Sequence, residues 1–131
     1  MKDFLYIFIG GGTGSVLRYI ISMLWSHFSL HPRFEEVVFP WATFIANLLG
    51  CLLIGVFYQY CERWELSIET RLLLTTGLCG GFTTFSTFSY EGMALINAGH
   101  YSTYAIYVSL SVILGLFMTA LPMVFGKIIN L

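Results

Sequence analysis

The chain has 131 residues, of which 57% are hydrophobic, 18% aromatic and only 10% charged, and its formal net charge is −1 at pH 7. This composition predicts an integral membrane protein. It argues against a nucleic-acid-binding protein, because no basic patch is available to contact phosphates. A spanning helix takes about 20 residues, so the length predicts a single all-α transmembrane domain over residues 1–131 with four helices and short connections.

Four apolar segments follow one another along the chain. The predicted spans are residues 4–25, 41–60, 72–97 and 101–125. A polar loop at 27–36, a charged linker at 61–70 and a tight turn at Gly99 are predicted to join them. Pro122 and Gly126 predict that the end of the last helix frays. The glycine-rich first segment favours a spanning helix over a cleaved signal peptide.

The positive charges of the connections bear on orientation. With four spans, both termini and the charged linker lie on one side. That side carries four basic residues, Lys2, Arg63, Arg71 and the predicted interfacial anchor Lys127, whereas the other side carries Arg33. The bias favours cytoplasmic termini without settling the orientation. Four helices alone bury little surface against one another, because lipid provides no hydrophobic driving force for helix association. A homo-oligomer is therefore expected for so small a polytopic protein with polar groups.

No enzymatic signal is recognisable. The three histidines, His27, His31 and His100, are predicted in loops without metal-ligand spacing or a paired nucleophile. The cysteines are odd in number, and we expect Cys51, Cys61 and Cys79 to be small packing residues with no disulfide framework. The sequence therefore predicts a protein that is not an enzyme.

The most informative stretch is residues 77–89, which places three glycines, five hydroxyl side chains and three phenylalanines in an otherwise apolar segment. Glycine lowers helix propensity, and clustered Ser and Thr divert hydrogen bonds from the helical ladder. The pattern predicts a helix broken between Gly80 and Thr83. Non-helical backbone at membrane depth survives only where protein or water satisfies it, so the break is a candidate ion or substrate site.

Small residues recur four apart in the first two segments. Gly10 and Gly14, like Ala46 and Gly50, have the spacing that lets helix backbones approach closely, which favours helix packing. Arg18 is a charge inside the first span. It is either a structural anchor or an electrostatic group that draws an anion into a vestibule.

Polar side chains also share helical faces in the second and fourth segments. Thr43 and Asn47 lie one turn apart, where they serve either packing hydrogen bonds or the coordination of an anion. In the fourth segment a stripe recurs every four residues, at Tyr107, Ser111, Gly115 and Thr119. Its hydroxyls either bond neighbouring helices or pass an anion without trapping it.

Two phenylalanines and one acid follow the predicted break. Phe85 and Phe88 share a face, where their ring edges either pack or point partial positive charge at an anion. Glu91 lies one turn further on. It either binds a proton or cation within the membrane or sits at the membrane surface.

Three motifs together resemble those of the CrcB/Fluc family of fluoride channels. They are, in this order along the chain, GGTGSVLRY at 11–19, NLLG at 47–50 and GLCGGFTTFSTFS at 77–89. The resemblance implies an antiparallel, dual-topology homodimer in a microbial plasma (inner) membrane, with two fluoride pores that export fluoride passively and confer resistance. It also implies a structural sodium ion held by the backbone carbonyls of Gly80 and Thr83, with no organic cofactor.

The same resemblance assigns pore and vestibule residues by motif position. Phe85, Phe88 and Asn47 match the pore, and Arg18 matches the first-helix arginine. Gly115 departs from the pattern, since the family often has serine there, so one hydroxyl of the stripe is missing.

A small four-helix, proton-coupled multidrug exporter is the alternative. That mechanism needs a membrane carboxylate in the first helix, where this chain has Arg18, with Asp3 at the edge, and Glu91 is the available substitute.

Overall fold

The structure is a computed structural model that describes residues 2–28 and 39–129. The predicted loop residues His31 and Arg33 lie outside the described residues, as does the side chain of Lys127. Within the described ranges every regular element is helical. These elements are α1 (Lys2–Phe28), α2 (Trp41–Arg63), α3 (Ile68–Arg71), a π-helix (Leu72–Cys79), α4 (Gly80–Phe82), α5 (Phe85–Asn97) and α6 (Tyr101–Ile129).

Three helices are long and apolar enough to cross a membrane. They are Lys2–Phe28, Trp41–Arg63 and Tyr101–Gly126, which correspond to the first, second and fourth predicted spans. Two boundaries were placed too early, because His27 lies in α1 and the buried Cys61 lies in α2 and not in the linker. The third predicted span is divided among α3, the π-helix, α4 and α5.

The end of α6 differs from the prediction. The helix runs through Pro122 and Gly126 to Ile129, so the predicted fraying at those two residues was wrong. Proline costs one ladder hydrogen bond, but ending the helix in an apolar environment would leave several backbone groups unpaired. Gly55 of α2 makes room for the ring, because a Cβ there would lie 3.3 Å from Pro122 Cγ.

Helix α1 packs closely on the π-helix. A Cβ at Gly10 would overlap the Leu73 carbonyl oxygen, and one at Gly14 would overlap the Leu78 carbonyl oxygen. The predicted packing role of these two glycines is therefore confirmed. The π-helix itself was not predicted, because an apolar pattern does not distinguish i→i+5 bonding from the α-helical ladder.

Helix α2 packs along α6, and α5 packs against both of these helices. The core of this half consists of Phe44, Leu95 and Tyr107. The chain reverses between α5 and α6 at Gly99, whose φ of 79° suits glycine, and the His100 N–H donates to the Leu95 carbonyl at 2.9 Å. The predicted turn is confirmed, and it folds α5 back on α6.

The chain break and the cavity beside it

The helix of the third segment stops at Phe82 and restarts at Phe85. Thr83 and Thr84 are extended, with ψ of 156° and 117°. The predicted break is thus confirmed at Thr83 but wrong at Gly80, which is helical with φ −63° and ψ −38°. Gly77 and Gly81 of this motif serve close contact with α1, since a Cβ at Gly81 would overlap the Gly11 carbonyl oxygen, whereas a Cβ at Gly80 would meet nothing within 4 Å.

Threonine hydroxyl groups add hydrogen bonds on both sides of the break. The Thr83 N–H and Oγ1 both donate to the Cys79 carbonyl, at 2.9 and 3.0 Å, and so close the preceding turn. Thr84 Oγ1 accepts from the Thr87 N–H at 3.3 Å and caps the N-terminus of α5. Thr84 was not singled out from the sequence, although threonine is a preferred N-cap residue.

Asn47 of α2 pairs with the broken backbone. Its Oδ1 accepts the Thr84 N–H at 2.8 Å, and its Nδ2 donates to the Thr84 carbonyl at 3.3 Å. One side chain thereby satisfies both backbone groups of one extended residue. Three residues later, Gly50 faces the break, where a Cβ would overlap Thr83 Cγ2.

The Gly81 carbonyl at the end of α4 faces α1. It accepts from Arg18 Nε at 3.3 Å and from Ser15 Oγ at 3.4 Å. A positive group at a helix C-terminus also opposes the partial negative charge of the unpaired carbonyls. The structure therefore gives Arg18 a structural contact with the broken helix, and it adds Ser15, which the sequence did not indicate.

A cavity of about 580 Å³ lies against the break. Its wall brings together residues that are far apart in the chain, and those with predicted roles are Asn47, Gly80, Thr83, Phe85, Phe88 and Ser111. The rings of Phe85 and Phe88 are 5.7 Å apart. Both residues predicted to hold a cation, Gly80 and Thr83, thus line the same cavity as four of the residues predicted to contact an anion.

Ser111 has an unusual environment in this wall. Its Oγ is buried and, within the described residues, has no hydrogen-bond partner. A buried hydroxyl in a helix ordinarily bonds the carbonyl four residues earlier or a neighbouring group. The described part of the chain thus leaves this buried hydroxyl without a partner, in a residue of the cavity wall.

Three other predicted residues form a separate hydrogen-bonded group. Glu91 Oε1 accepts from Thr43 Oγ1 at 2.7 Å, and Glu91 Oε2 accepts from Tyr107 Oη at 2.9 Å. Thr43 and Tyr107 are buried, and Glu91 itself is half-buried between α2 and α6. The Phe88 ring, 4.9 Å from the Tyr107 ring, connects this group to the cavity wall.

The far end of the polar stripe lies against α2. Thr119 Oγ1 is 3.1 Å from both the Cys51 and Gly115 carbonyls, to which it donates. A Cβ at Gly115 would lie 3.4 Å from Cys51 Sγ, an ordinary contact. Thr119 therefore bonds between helices and does not line the cavity, in contrast to Ser111.

Comparison with known proteins finds a family that matches most of this chain. The family described as "CrcB-like protein, Camphor Resistance (CrcB)" matches residues 5–123. This chain belongs to that family. Together with three helices of membrane-spanning length, family membership makes it a multi-pass bacterial membrane protein.

Several relatives carry the name "Fluoride-specific ion channel FluC". The one from Phocaeicola vulgatus is 51% identical over 116 residues, which cover 88% of this chain and 91% of the relative. The one from Bacteroides fragilis is 48% identical over 118 residues, with coverages of 88% and 89%. The one from Flavobacterium psychrophilum is 42% identical over 128 residues, with coverages of 97% and 98%.

Proposed function

We propose that this protein is a fluoride-specific ion channel, not an enzyme, and that it exports fluoride passively across the bacterial plasma membrane and so confers fluoride resistance. Its relatives carry that name at up to 51% identity over most of both chains. The observation within the chain that carries the proposal is the Ser111 hydroxyl, which belongs to the cavity wall and is buried with no hydrogen-bond partner in the described part of the chain. A small anion accepts strong hydrogen bonds from such a donor without requiring a fixed positive charge.

The proposed fluoride pathway passes the cavity. Ser111, the edges of Phe85 and Phe88, and the remaining amide hydrogen of Asn47 are its nearest contacts. Further along the proposed pathway, fluoride would contact three side chains that the sequence indicates on the second and fourth helices: Thr43, Tyr107 and Thr119. Arg18 and Glu91 act electrostatically, Arg18 at the vestibule and Glu91 through the hydroxyls that it holds in place.

The proposed assembly is an antiparallel, dual-topology homodimer with four spans per subunit and two pores. The broken segment, from α3 through α5, provides the fourth crossing. Much of the surface of α5 has no covering within the described residues, since Phe85 is 79% and Tyr90 77% exposed. A second copy is the occupant that the family motifs favour. It would cover α5 and close the cavity into a pathway.

A structural sodium ion is proposed at the dimer axis. Within the described residues no group of three or more His, Cys, Asp or Glu is placed to hold a metal, so a cation there needs backbone oxygens. The carbonyls of Gly80 and Thr83 fit this requirement, because both residues line the cavity at the break and carbonyl oxygen suits a hard cation. The ion would supply positive charge where two copies meet.

The deciding experiment measures ion release from liposomes. Purified protein in fluoride-loaded liposomes is expected to release fluoride, read with a fluoride electrode, and to retain chloride in a parallel measurement. Ser111→Ala is expected to slow fluoride release by about tenfold, because a hydrogen bond to a charged partner contributes about 1.5–3 kcal/mol. The matched control is Ser102→Ala, an exposed serine of the same helix. Absence of fluoride release by the unmodified protein would reject the function.

The proton-coupled exporter gains no support from the site. Both oxygens of Glu91 already accept hydrogen bonds from protein hydroxyls, which leaves this carboxylate poorly placed to exchange protons with a bound substrate. That alternative predicts drug uptake driven by a pH gradient and its loss in Glu91→Gln. The channel predicts substantial fluoride release in the same variant.

A further inference from the structure

We infer that Asn47 is a positioning residue for the cation site: by pairing with Thr84, it aims the Thr83 carbonyl away from α2 and toward the site proposed at the dimer axis. The inference rests on the proposed function, since it concerns the sodium ion proposed there. It assigns to Asn47 a role that is separate from any contact with fluoride.

The first step concerns the peptide that joins Thr83 and Thr84. Its N–H belongs to Thr84 and its carbonyl belongs to Thr83. A trans peptide is planar, with N–H and C=O pointing in opposite directions, and no cis peptide occurs in the described residues. Because Asn47 Oδ1 holds the N–H at 2.8 Å, the Thr83 carbonyl must point away from α2.

The second step concerns the strength of this constraint. Asn47 also donates to the Thr84 carbonyl at 3.3 Å, so two bonds fix the rotation of the extended residue. The Thr83 hydroxyl is occupied by the Cys79 carbonyl, and Thr84 Oγ1 by the α5 N-terminus. Within the described residues, the orientation of this peptide thus depends on one side chain of a neighbouring helix.

The third step concerns the other carbonyls at the end of α4. Cys79 and Gly81 have their carbonyls engaged, the first by Thr83 and the second by Ser15 and Arg18. No side chain in the described part of the chain donates to the carbonyls of Gly80 or Thr83. Asn47 and Arg18, on opposite neighbouring helices, therefore divide the broken end into paired carbonyls and carbonyls available to a cation.

The test measures sodium binding without using ion flux. A ligand that binds the folded state raises the unfolding temperature, so thermal unfolding of the purified dimer over a series of NaCl concentrations, at constant ionic strength with N-methylglucamine chloride, gives a sodium midpoint. Asn47→Ser is neutral and keeps a hydroxyl toward the cavity, but a serine side chain is too short to bond both Thr84 groups. Its midpoint is expected to rise at least tenfold, while the exposed control Asn97→Ser keeps the midpoint of the unmodified protein.

Hydrogen exchange provides a second measurement that does not depend on sodium or flux. Peptides covering residues 83–87 are expected to exchange at least tenfold faster in Asn47→Ser than in Asn97→Ser. Should Asn47→Ser fail to assemble, Asn47→Thr, whose hydroxyl is likewise too short to bond both Thr84 groups, takes its place in both measurements with the same expected results.

The outcomes separate this inference from the proposed function. An unchanged sodium midpoint or unchanged exchange in the Asn47 variant overturns the inference, even if fluoride release slows, because Asn47 would then serve as an anion ligand alone. An unmodified protein whose stability does not respond to sodium overturns both the inference and the sodium proposal. Absence of fluoride release with an intact sodium response rejects the channel and leaves the positioning role supported.

Discussion

Two regions of this protein interrupt the helical hydrogen-bond ladder, and they behave in opposite ways. α6 contains Pro122, the strongest helix breaker, yet remains helical to Ile129. The third segment has no proline between residues 72 and 97, yet its helix ends at Phe82 and restarts at Phe85. Intrinsic propensity would place the break in α6.

The difference lies in the partners that the rest of the chain provides. At the break, Asn47 pairs with both backbone groups of Thr84, and the Thr84 hydroxyl accepts the Thr87 N–H at the start of α5. The Thr83 hydroxyl adds a second bond to the Cys79 carbonyl. At Pro122 the neighbouring helix offers the space beside Gly55. In an apolar environment a helix opens only where its backbone groups find other partners, so neighbours decide which weak point opens.

The largest expected effect comes from disturbing the support of the broken helix by α1. Gly14→Leu would force a side chain into the Leu78 carbonyl and to within 2.7 Å of the Phe82 nitrogen, and neither backbone atom has room to move. We expect destabilisation of about 3 kcal/mol or failure to assemble, at the upper end of overpacking costs. Size-exclusion chromatography and thermal unfolding in detergent measure this.

The matched control for that substitution is Gly12→Leu on the same helix, where a Cβ meets nothing within 4 Å. Normal assembly of Gly14→Leu would show that α1 does not hold α4 in place. The support of the broken helix would then come from α2 alone.

A smaller effect is expected where α2 faces the break. Gly50→Ala places a Cβ against Thr83 Cγ2, and we expect a loss of about 2 kcal/mol in unfolding free energy. Adding Thr83→Ser removes the offending methyl group and keeps the hydroxyl that bonds Cys79, so the double variant should recover most of the loss. The contact of 3.3 Å with Phe82 Cδ1 remains and makes the recovery incomplete.

A double-variant cycle by thermal unfolding tests this pair. Additive losses, with no recovery on adding Thr83→Ser, would mean that Gly50 and the break do not touch as described.

The smallest effect is expected at the second interruption. Pro122→Ala restores a backbone N–H to the ladder but removes ring atoms on the side of α6 that faces Gly55, so we expect the two terms to offset within about 1 kcal/mol. Thermal unfolding of this variant, measured beside Gly50→Ala, compares the two regions directly. A loss above about 2 kcal/mol would show that Pro122 has a structural role as specific as that of the broken segment.

Much of the architecture was predictable from local patterns. Apolar segments of sufficient length predicted the three helices that span, and Gly99 predicted the turn before α6. Spacing alone predicted the close approach at Gly10 and Gly14, because small residues four apart expose helix backbone. The π-helix at Leu72–Cys79 was missed, since nothing in an apolar run specifies i→i+5 bonding.

The candidate site was predictable as a set of residue types and not as a set of contacts. The hydroxyls and phenylalanines of 77–89 were found from composition, and Asn47 from its position on a helix face. That Ser111 would be unpaired while Thr119 bonds α2, or that Arg18 would reach the Gly81 carbonyl, depends on how helices lie side by side.

By itself, the sequence determined that this is a helical membrane protein with a weak point in its third segment, because length, hydropathy and glycine and hydroxyl content act locally. Tertiary structure alone decided that the weak point opens at Thr83 and Thr84 and that Pro122 stays within a helix. The physical reason is that backbone groups in an apolar environment must be paired, and only the packed helices bring Asn47 to the exposed backbone groups of Thr84.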